Sequence, residues 1–461
     1  MARKKKTGLN RREAIKAASA AALGAAAGAG AGSGGALGAE KPLKVRPPSA
    51  FSRQAEVPGF GGTRVVVIGG GWSGLETARQ LKKNRRDLDV ILIEKRASFF
   101  SCPLSNLWLV DRIPLDDLTH SYIDAAHNND YTWLHAAVVD MDRHKRVIYT
   151  DQGWLTYDFL VVAPGIDYDY TRYGVVDPGD AARLRATYPA AFMAGSELLT
   201  LKRKLEEFDG GVFVLTAPPG NYRCLPAPYE RACMIAGYMK DNDIKGRVLL
   251  LDSREHPPFH PDGINEAIRD LYRRYVVRIG GVNITGVDIG KRRIETEMGE
   301  IVFTDAAIYP PVRGSRVLER FGIADMKDPG RFADIDPISY RVRGDERVFV
   351  GGDARPMPFI KAGIAANHEA GHIARVITSQ MEGKDFSPLS SQGLMCYVAV
   401  NAQPLQSVAF KISFGWVYDR GTGEKRFMQK AQAFPKRSRS LGKANIQWGR
   451  GMFQEMFYNS L

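Results

Sequence analysis

The sequence has 461 residues, of which 44% are hydrophobic, and it carries a formal net charge of +13. A chain of this length can bury two or three cores of ordinary domain size, which excludes a single small module. Six of the thirteen net positive charges belong to the first sixteen residues, so the remainder is only moderately basic and we expect no nucleic-acid partner. Four cysteines exclude a disulfide-stapled scaffold, and no CxxC or CxxCH spacing offers a metal, iron–sulfur or haem site.

Residues 1–39 have the pattern of an export signal. A basic start is followed by Arg11 and Arg12 and then by an Ala/Gly run, which is typical of a twin-arginine signal peptide. The alternative is a basic nucleic-acid-binding tail on a disordered linker. The glycine-rich run is too weakly hydrophobic for a convincing membrane anchor, and no other span is apolar enough to cross a bilayer. We expect export in folded form to the periplasm, no transmembrane segment in the mature chain, and a linker at 40–61.

A dinucleotide-binding motif follows the linker. A run of branched apolar residues predicts a strand buried on both faces, and Gly69, Gly71 and Gly74 follow it with GxGxxG spacing at the start of a helical pattern. These glycines permit a tight turn, the approach of a pyrophosphate and close packing of the helix. Twenty residues after Gly74, Glu94 ends the next strand, and Lys95 follows it. A carboxylate at this spacing suits the ribose hydroxyls of an adenosine and repels a ribose phosphate.

The strand-and-turn pattern recurs twice further along the chain. A buried strand ends in a turn at Gly165, which is typical of the point where two-dinucleotide flavoproteins leave the flavin domain. A second unit opens with a strand at 211–217, but Pro218 and Pro219 stand where a backbone would approach a pyrophosphate. Proline offers neither the N–H nor the freedom of glycine. This half indicates a nicotinamide-type domain that has lost its nicotinamide, and we expect no useful reduction by NAD(P)H.

A third strand ends in Gly352 and Asp353, and a helix of small residues begins near Lys361 and Gly363. In flavin reductases of the glutathione-reductase type, this aspartate binds the ribityl hydroxyls. The N-terminus of the helix points at the flavin ring and stabilises negative charge there. We expect Lys361 to add to this stabilisation.

Together these patterns predict an α/β protein with two Rossmann-like dinucleotide-binding domains of the glutathione-reductase type and a C-terminal α+β interface domain. The FAD domain is split in sequence. The predicted boundaries are 62–169 with 316–385 for the FAD-binding domain, 170–315 for the degenerate NAD-type domain and 386–461 for the interface domain. The motifs place FAD contacts at Gly69, Gly71, Gly74, Glu94, Lys95, Gly165, Gly352, Asp353, Lys361 and Gly363.

Three cysteine-centred segments carry a more specific resemblance: Phe-Ser-Cys-Pro-Leu-Ser-Asn at 100–106, the segment 217–232, and Leu-Met-Cys-Tyr at 394–397. They resemble the flavoprotein subunit of flavocytochrome c sulfide dehydrogenase, within the wider sulfide:quinone oxidoreductase group. The resemblance runs from about residue 64 to the C-terminus. It implies covalent FAD on Cys102, as a thioether to the methyl carbon of the flavin benzenoid ring, with Asn106 in the same motif. It also implies a redox-active disulfide between Cys224 and Cys396 and a separate c-type cytochrome subunit as electron acceptor.

The resemblance implies a mechanism for sulfide oxidation. Hydrosulfide attacks one sulfur of the disulfide, leaves a persulfide and releases a thiolate, and two electrons pass to FAD. Glu230 is the candidate proton acceptor, although it could equally be a surface partner of Arg231. From the residues alone, we expect Arg223 to lower the pKa of the Cys224 thiol. Cys233 has no role in the family and is expected to be a buried apolar residue.

Other interpretations remain open. Cys224 and Cys396 could form an inert structural disulfide, which is ordinary in an exported chain. The acceptor could be a membrane quinone reached through an aromatic C-terminal surface, although basic residues at 436–439 interrupt any long amphipathic pattern. The protein could also be a non-catalytic scaffold that retains flavin and positions another sulfur enzyme.

Overall fold

The computed structural model describes residues 52–59, 61–258, 261–418, 421 and 424–460. The predicted signal peptide at 1–39 lies outside these residues, as does most of the predicted linker at 40–61. Among the helices that the structure describes, none combines the length and the apolar character needed to cross a membrane.

Helices and short strands alternate along most of the described chain. The α-helices are α1 (Trp72–Asn84), α2 (Ser105–Leu109), α3 (Tyr122–Asn128), α4 (Pro178–Thr187), α5 (Ser196–Glu206), α6 (Ala227–Asp241), α7 (Pro261–Leu271), α8 (Arg316–Arg320), α9 (Gly363–Met381) and α10 (Arg439–Phe453). The strands are β1 (Arg64–Ile68), β2 (Asp89–Glu94), β3 (Ser98–Phe100), β4 (Thr119–Ser121), β5 (Thr132–His135), β6 (Val138–Asp142), β7 (Val147–Thr150), β8 (Gly153–Thr156), β9 (Phe159–Val162), β10 (Ile166–Tyr168), β11 (Gly210–Ala217), β12 (Lys245–Asp252), β13 (Val276–Gly280), β14 (Ile284–Asp288), β15 (Arg293–Thr296), β16 (Gly299–Val302), β17 (Asp305–Ala307), β18 (Val312–Gly314), β19 (Val348–Val350), β20 (Ser390–Asn401), β21 (Gln406–Tyr418) and β22 (Lys425–Ser438). Short 3-10 turns lie at Leu115–Asp117, Tyr170–Tyr173 and Gly352–Ala354, and a π-helical turn lies at Gln454–Tyr458.

A parallel five-stranded sheet, with strand order β19-β9-β1-β2-β5, forms the first core. In its centre, Val66 of β1 lies between Ile91 and Leu160, and all three side chains are buried, as expected for a strand covered on both faces. The late strand β19 joins this sheet beside β9, and the helix that follows it, α9, packs against α1. The N-termini of α1 and α9 therefore lie at the same edge of the sheet, where the strands end.

A second parallel sheet, with strand order β13-β12-β11-β17, forms the next core. α6 follows β11 and packs against β11 and β12. The antiparallel pair β10 and β18 joins the segment that leaves the first sheet to the segment that returns to it. The turn between β11 and α6, which carries Cys224, thus lies near the carboxyl edge of its own sheet and close to the first sheet.

The C-terminal region is an antiparallel meander, β20-β21-β22, with α10 packed on β21. β20 also lies against α6. This contact brings the strand that carries Cys396 beside the helix that follows Cys224.

Candidate functional site

Three glycines shape the turn between β1 and α1 in different ways. Gly69 has φ +99°, and a Cβ there would lie 2.4 Å from the carbonyl oxygen of Ala163. Gly74 lies so close to the strand that a Cβ would come 1.8 Å from the carbonyl oxygen of Gly69. Gly71, the N-cap of α1, lines a cavity, and a Cβ at this position would meet nothing within 4 Å. An anion can therefore approach the N-terminus of α1 at Gly71.

Glu94 ends β2 beside this turn. Its Oε2 accepts a hydrogen bond from the N–H of Gly70 at 2.7 Å, and its Oε1 accepts one from the N–H of Arg96 at 2.9 Å. Each carboxylate oxygen can accept a second bond, so the ribose hydroxyls of an adenosine fit here. Lys95 was predicted to contact the cofactor, but it is exposed and does not line the cavity, whereas Arg96 does. β2 ends at Glu94, and Lys95, the first residue beyond the strand, is exposed to solvent.

Asp353 follows β19, and only one of its carboxylate oxygens is satisfied. Oδ2 accepts a hydrogen bond from Nε of Arg223 at 2.6 Å, while Oδ1 is buried and has no partner within the described part of the chain. Burial acts to raise the pKa of Asp353, but the charges of Arg223 and Lys361 outweigh it, so the pKa is lowered and the group is ionised. A buried acceptor without a partner is costly, and a ribityl hydroxyl would satisfy it.

Arg223 links the two dinucleotide-binding halves. Besides its bond to Asp353, its Nη1 donates to the carbonyl oxygen of Phe192 at 2.9 Å. Gly165 makes room for the guanidinium, because a Cβ there would lie 2.9 Å from its Nη2. Gly165 and Gly352 both have left-handed φ values, +75° and +67°. Both predicted glycines therefore line the cavity at positions where their backbone conformation favours glycine.

Lys361 is not where the sequence predicted it. Its side chain is buried and does not line the cavity, and Nζ donates to the carbonyl oxygens of Asp353, at 3.0 Å, and Arg355, at 2.7 Å. Burial and the charge of Arg355 lower the pKa of Lys361 to about 7. Lys361 therefore stabilises the turn after β19. Gly363, at the first position of α9, does line the cavity, so the positive end of this helix faces it.

Cys102, Cys224 and Cys396 come from distant parts of the chain and line the same cavity. All four cysteines are free thiols, so the predicted disulfide between Cys224 and Cys396 is not formed in the structure. Cys233 is buried within α6 and lies outside the lining, as predicted.

The prediction that Arg223 lowers the pKa of Cys224 is wrong. Burial raises the pKa of Cys224 well above its usual value, and the neighbouring Cys102 and Glu230 raise it further. Arg223 turns instead toward Asp353. Burial also raises the pKa of Cys396 to about 12 and raises that of Cys102, for which the charge of Arg223 opposes the effect. The thiols therefore hold their protons at neutral pH.

Glu230 is half-buried in the wall of this cavity and is not a surface partner of Arg231. Its Oε1 accepts from the N–H of Ala399 at 2.9 Å, and its Oε2 accepts from Nδ2 of Asn106 at 3.1 Å. Burial raises the pKa of Glu230 to about 7, although both hydrogen bonds oppose the shift. Arg231 is also buried, and its Nε donates to Oδ1 of Asn106 at 2.9 Å. The Asn106 amide thus lies between the carboxylate and the guanidinium.

The turn after β11 differs from the glycine turn after β1. Arg254 donates from Nη1 to the carbonyl oxygen of Pro218 at 3.1 Å and from Nη2 to that of Gly220. Asp252, at the end of β12, is fully buried; it accepts from Nη2 of Arg278 at 2.6 Å and from the hydroxyl of Tyr229 at 2.6 Å. The carboxylate that would bind a ribose is therefore engaged internally, and the guanidinium of Arg254 covers the phosphate-binding turn.

The C-terminal region forms part of the cavity wall. Met395, Tyr397, Phe410, Asn445 and Trp448 line it from β20, β21 and α10. The ring of Trp448 stacks on that of Trp72 with centroids 6.2 Å apart. Within the described residues, no cluster of His, Cys, Asp or Glu could hold a metal ion.

An FAD fits the residues of this cavity. The open N-terminus of α1 suits a pyrophosphate, Glu94 suits the adenosine ribose, and the unsatisfied Oδ1 of Asp353 suits a ribityl hydroxyl. The N-terminus of α9 supplies positive charge for the isoalloxazine ring. Fold and site therefore define a flavoprotein with two dinucleotide-binding domains.

Comparisons with known proteins agree with this class. The family model described as "Sulfide dehydrogenase [flavocytochrome c] flavoprotein chain, central" matches residues 198–309, and the pyridine nucleotide-disulphide oxidoreductase model matches residues 63–176. The flavoprotein chain of sulfide dehydrogenase [flavocytochrome c] from Chlorobaculum thiosulfatiphilum is 46% identical over 46 residues, which cover 10% of this chain and 96% of that one. Mitochondrial sulfide:quinone oxidoreductase from Mus musculus is 22% identical over 332 residues, covering 69% of this chain and 72% of the relative.

Solved structures show the same fold. The sulfide:quinone oxidoreductase from Aquifex aeolicus matches with a TM-score of 0.68 at 17% identity, covering 87% of this chain and 92% of that one. The predicted fold class is confirmed. The chain belongs to the flavoprotein family that is related to sulfide dehydrogenase and sulfide:quinone oxidoreductase.

Proposed function

We propose that the protein oxidises sulfide with FAD and a redox-active pair formed by Cys224 and Cys396. The observation that carries this proposal is the meeting of Cys102, Cys224 and Cys396 in the cavity that also contains the FAD fingerprint and Asp353. An inert disulfide would not require a cofactor cavity beside it, and a flavin-retaining scaffold would not require three cysteines that line that cavity.

The residues of the chain would hold FAD through Gly71, Glu94 and Asp353. The bound cofactor would supply a two-electron acceptor that can pass its electrons on singly. The N-terminus of α9 would stabilise negative charge on the reduced ring.

The cysteines would carry the sulfur chemistry. In the oxidised protein, a hydrosulfide attacks one sulfur of the Cys224–Cys396 disulfide: an S–S bond to the substrate forms, the protein S–S bond breaks, and the released thiolate keeps the electron pair. Burial raises the pKa values of both thiols, so a thiolate here is a strong electron donor unless it takes up a proton. The persulfide sulfur is thereby oxidised by two electrons relative to sulfide.

Glu230 would accept the substrate proton. Its pKa of about 7, raised by burial, gives it an appreciable ionised fraction at neutral pH and lets it release the proton again. It lines the same cavity as the cysteines.

Cys102 is proposed as the covalent attachment site for FAD. It lines the cavity, and the charges of Arg223 and Arg231 reduce the rise in its pKa that burial causes. Acid precipitation tests the link: yellow colour retained in the pellet is expected, and flavin released entirely to the supernatant would show that the link is absent.

A c-type cytochrome subunit is the proposed acceptor, since a relative of this chain is the flavoprotein chain of a flavocytochrome c. Membrane quinone is the alternative, because sulfide:quinone oxidoreductases are also relatives. Isolation of the protein from its native source separates the two: copurification of a haem polypeptide supports the cytochrome, and sulfide-dependent reduction of a short-chain quinone by the isolated flavoprotein supports the quinone.

We also propose export to the periplasm through the twin-arginine pathway. Arg11 and Arg12 before an Ala/Gly run support this proposal. Replacing both with lysine should leave the precursor in the cytoplasm.

The direct test of the reaction is spectroscopic. Micromolar sulfide added anaerobically should bleach the oxidised flavin spectrum within seconds. A flavin that stays oxidised while dithionite reduces it would favour the scaffold.

A further inference from the structure

Glu230 has a second feature besides its place in the cavity wall. Each of its carboxylate oxygens accepts a hydrogen bond from a different element: Oε1 from the backbone N–H of Ala399 in β20, and Oε2 from the side chain of Asn106 in α2. Glu230 itself lies in the first turn of α6. One carboxylate therefore joins three elements that are distant in sequence.

Each of these elements carries or adjoins one cavity cysteine. Ala399 lies three residues after Cys396 on the same strand, Asn106 lies four residues after Cys102, and Glu230 lies six residues after Cys224. The turn at Cys224 leads directly into α6, because the carbonyl oxygen of Cys224 accepts from the N–H of Ala227 at 2.8 Å. The two hydrogen bonds of Glu230 thus connect all three cysteine-bearing segments.

We propose that Glu230 is a positioning residue that holds the segments of Cys102, Cys224 and Cys396 together, through two separable contacts. The Ala399 contact, Glu230 Oε1 with the N–H of Ala399, sets the approach of Cys396 to Cys224. The Asn106 contact, Glu230 Oε2 with Nδ2 of Asn106, sets the position of Cys102. This inference rests on the proposed function and adds to it a role that does not depend on proton transfer.

The Ala399 contact has a measurable consequence for disulfide formation. Two thiols of the protein lose two electrons and two protons to glutathione disulfide, which leaves as two molecules of glutathione, and a protein S–S bond forms. The equilibrium constant of this exchange reports how well the fold holds the two sulfurs together. A hydrogen bond to a charged group contributes enough to change such a constant by about 10- to 100-fold.

Two substitutions at Glu230 separate the two contacts. In Glu230→Gln, the amide oxygen can still accept from the N–H of Ala399, which is only a donor. The amide nitrogen then faces Nδ2 of Asn106, whose Oδ1 is held by Arg231, so this contact is lost. Glu230→Met removes both contacts at similar length. Neither variant can accept a proton in the physiological range.

The experiment uses the full-length, flavin-loaded protein in glutathione redox buffers, with alkylation and mass spectrometry of the Cys224 and Cys396 peptides. We expect the exchange constant of Glu230→Gln to stay within about threefold of wild type, and that of Glu230→Met to fall at least about tenfold. A role in proton transfer alone predicts equal constants for both variants and wild type, and this result would overturn the proposal.

Asn106→Ala tests the other contact and serves if Glu230→Met does not fold. It should lower the fraction of acid-stable flavin while the exchange constant stays at the wild-type value. A tenfold loss of the exchange constant in Asn106→Ala would contradict the separation of the contacts.

The matched control is Glu197, a buried glutamate that accepts from the N–H of Ala191 at 2.9 Å but does not line the cavity. Glu197→Gln and Glu197→Met should leave the exchange constant unchanged.

These measurements need no sulfide turnover. If wild type forms the disulfide but Glu230→Met matches it, the positioning role fails and sulfide oxidation still stands. If wild type forms no Cys224–Cys396 disulfide in any glutathione buffer, the proposed function fails as well.

Discussion

The two Rossmann-like halves have the same plan of strand, turn and helix, with an acid at the end of the second strand, but their turns are opposite in chemistry. After β1, the glycine turn leaves the helix N-terminus open, and Glu94 is accessible from the cavity. After β11, two prolines replace the glycines, Arg254 covers the turn, and Asp252 is neutralised by Arg278. The comparison shows that a nucleotide site can be closed by its own side chains while the fold around it is kept. In the second half, the segment that follows the turn instead presents Cys224 to the flavin cavity.

Substitutions of the two acids, Asp252 and Glu94, should differ most in their effect on stability. Asp252→Asn leaves Arg278 without its buried carboxylate partner, and losing one member of a buried pair typically costs about 3–5 kcal/mol of unfolding free energy. Glu94→Gln should cost less stability, about 1–3 kcal/mol, because its amide oxygen keeps one of the two backbone N–H bonds, and it should weaken flavin retention, since Glu94 faces the cofactor site. Melting curves and flavin content of the two purified variants check this prediction. Equal loss of stability in both variants would contradict the expected difference between an internally paired Asp252 and a cofactor-facing Glu94.

The glycines of the open turn should separate packing from cofactor approach. Gly74→Ala places a Cβ 1.8 Å from a carbonyl oxygen, so the backbone must shift, at a cost of about 3 kcal/mol. Gly71→Ala meets no protein atom within 4 Å, so the fold should survive while flavin affinity falls. Scanning calorimetry and flavin titration measure the two effects. A Gly71→Ala protein that binds flavin as tightly as wild type would argue against a pyrophosphate at this turn.

Glu230 should make stability depend on pH. Burial raises its folded-state pKa from 4.5 to about 7, so its stabilising contribution is full below about pH 4.5 and is lost as pH rises toward 7. Glu230→Gln removes this dependence. The stability of the variant relative to wild type should therefore increase by up to about 1.4 kcal/mol per pH unit between pH 5 and 7. Melting curves of wild type and variant, recorded at several pH values in this interval, should give a stability difference that changes with pH. A difference that stays constant would mean that Glu230 does not titrate there.

The smallest effect is expected from opening the closed turn. Arg254→Ala uncovers the carbonyl oxygens of Pro218 and Gly220, yet the prolines still lack the N–H groups that a pyrophosphate needs. Neither wild type nor Arg254→Ala should show flavin reduction by sub-millimolar NADH. Rapid flavin reduction by NADH in wild type would favour an ordinary pyridine-nucleotide reductase. Rapid reduction in the variant alone would mean that Arg254 is the main barrier to NADH binding.

The fold class and the open turn could be predicted from the sequence, because their signals are local. The GxGxxG spacing is recognised together with the buried strand just before it, and the later Gly-Asp pair is recognised separately at the end of its own strand. Their joining in one sheet, with β19 beside β9, follows from the known order of such folds.

The directions of long side chains could not be predicted. Lys361 turns into the protein interior toward main-chain carbonyls, and Arg223 turns toward Asp353 and away from its neighbour Cys224. Arg231 and Arg254 were missed as structural partners because the groups that they contact, Asn106 and Pro218, lie far away in the sequence. Arg96 was also missed; it lies two residues after Glu94, donates its N–H to that carboxylate and lines the cavity.

The most direct test of the account is sulfide-driven flavin reduction in Cys396→Ser, followed anaerobically beside a melting curve, with Cys233→Ser as the matched control. The account predicts that Cys396→Ser keeps its flavin spectrum and its melting temperature but is no longer reduced by sulfide, while Cys233→Ser is reduced at the wild-type rate. An inert disulfide would instead give a protein less stable by about 2–5 kcal/mol whose folded fraction still turns over. Full sulfide-driven reduction in Cys396→Ser would contradict the central claim.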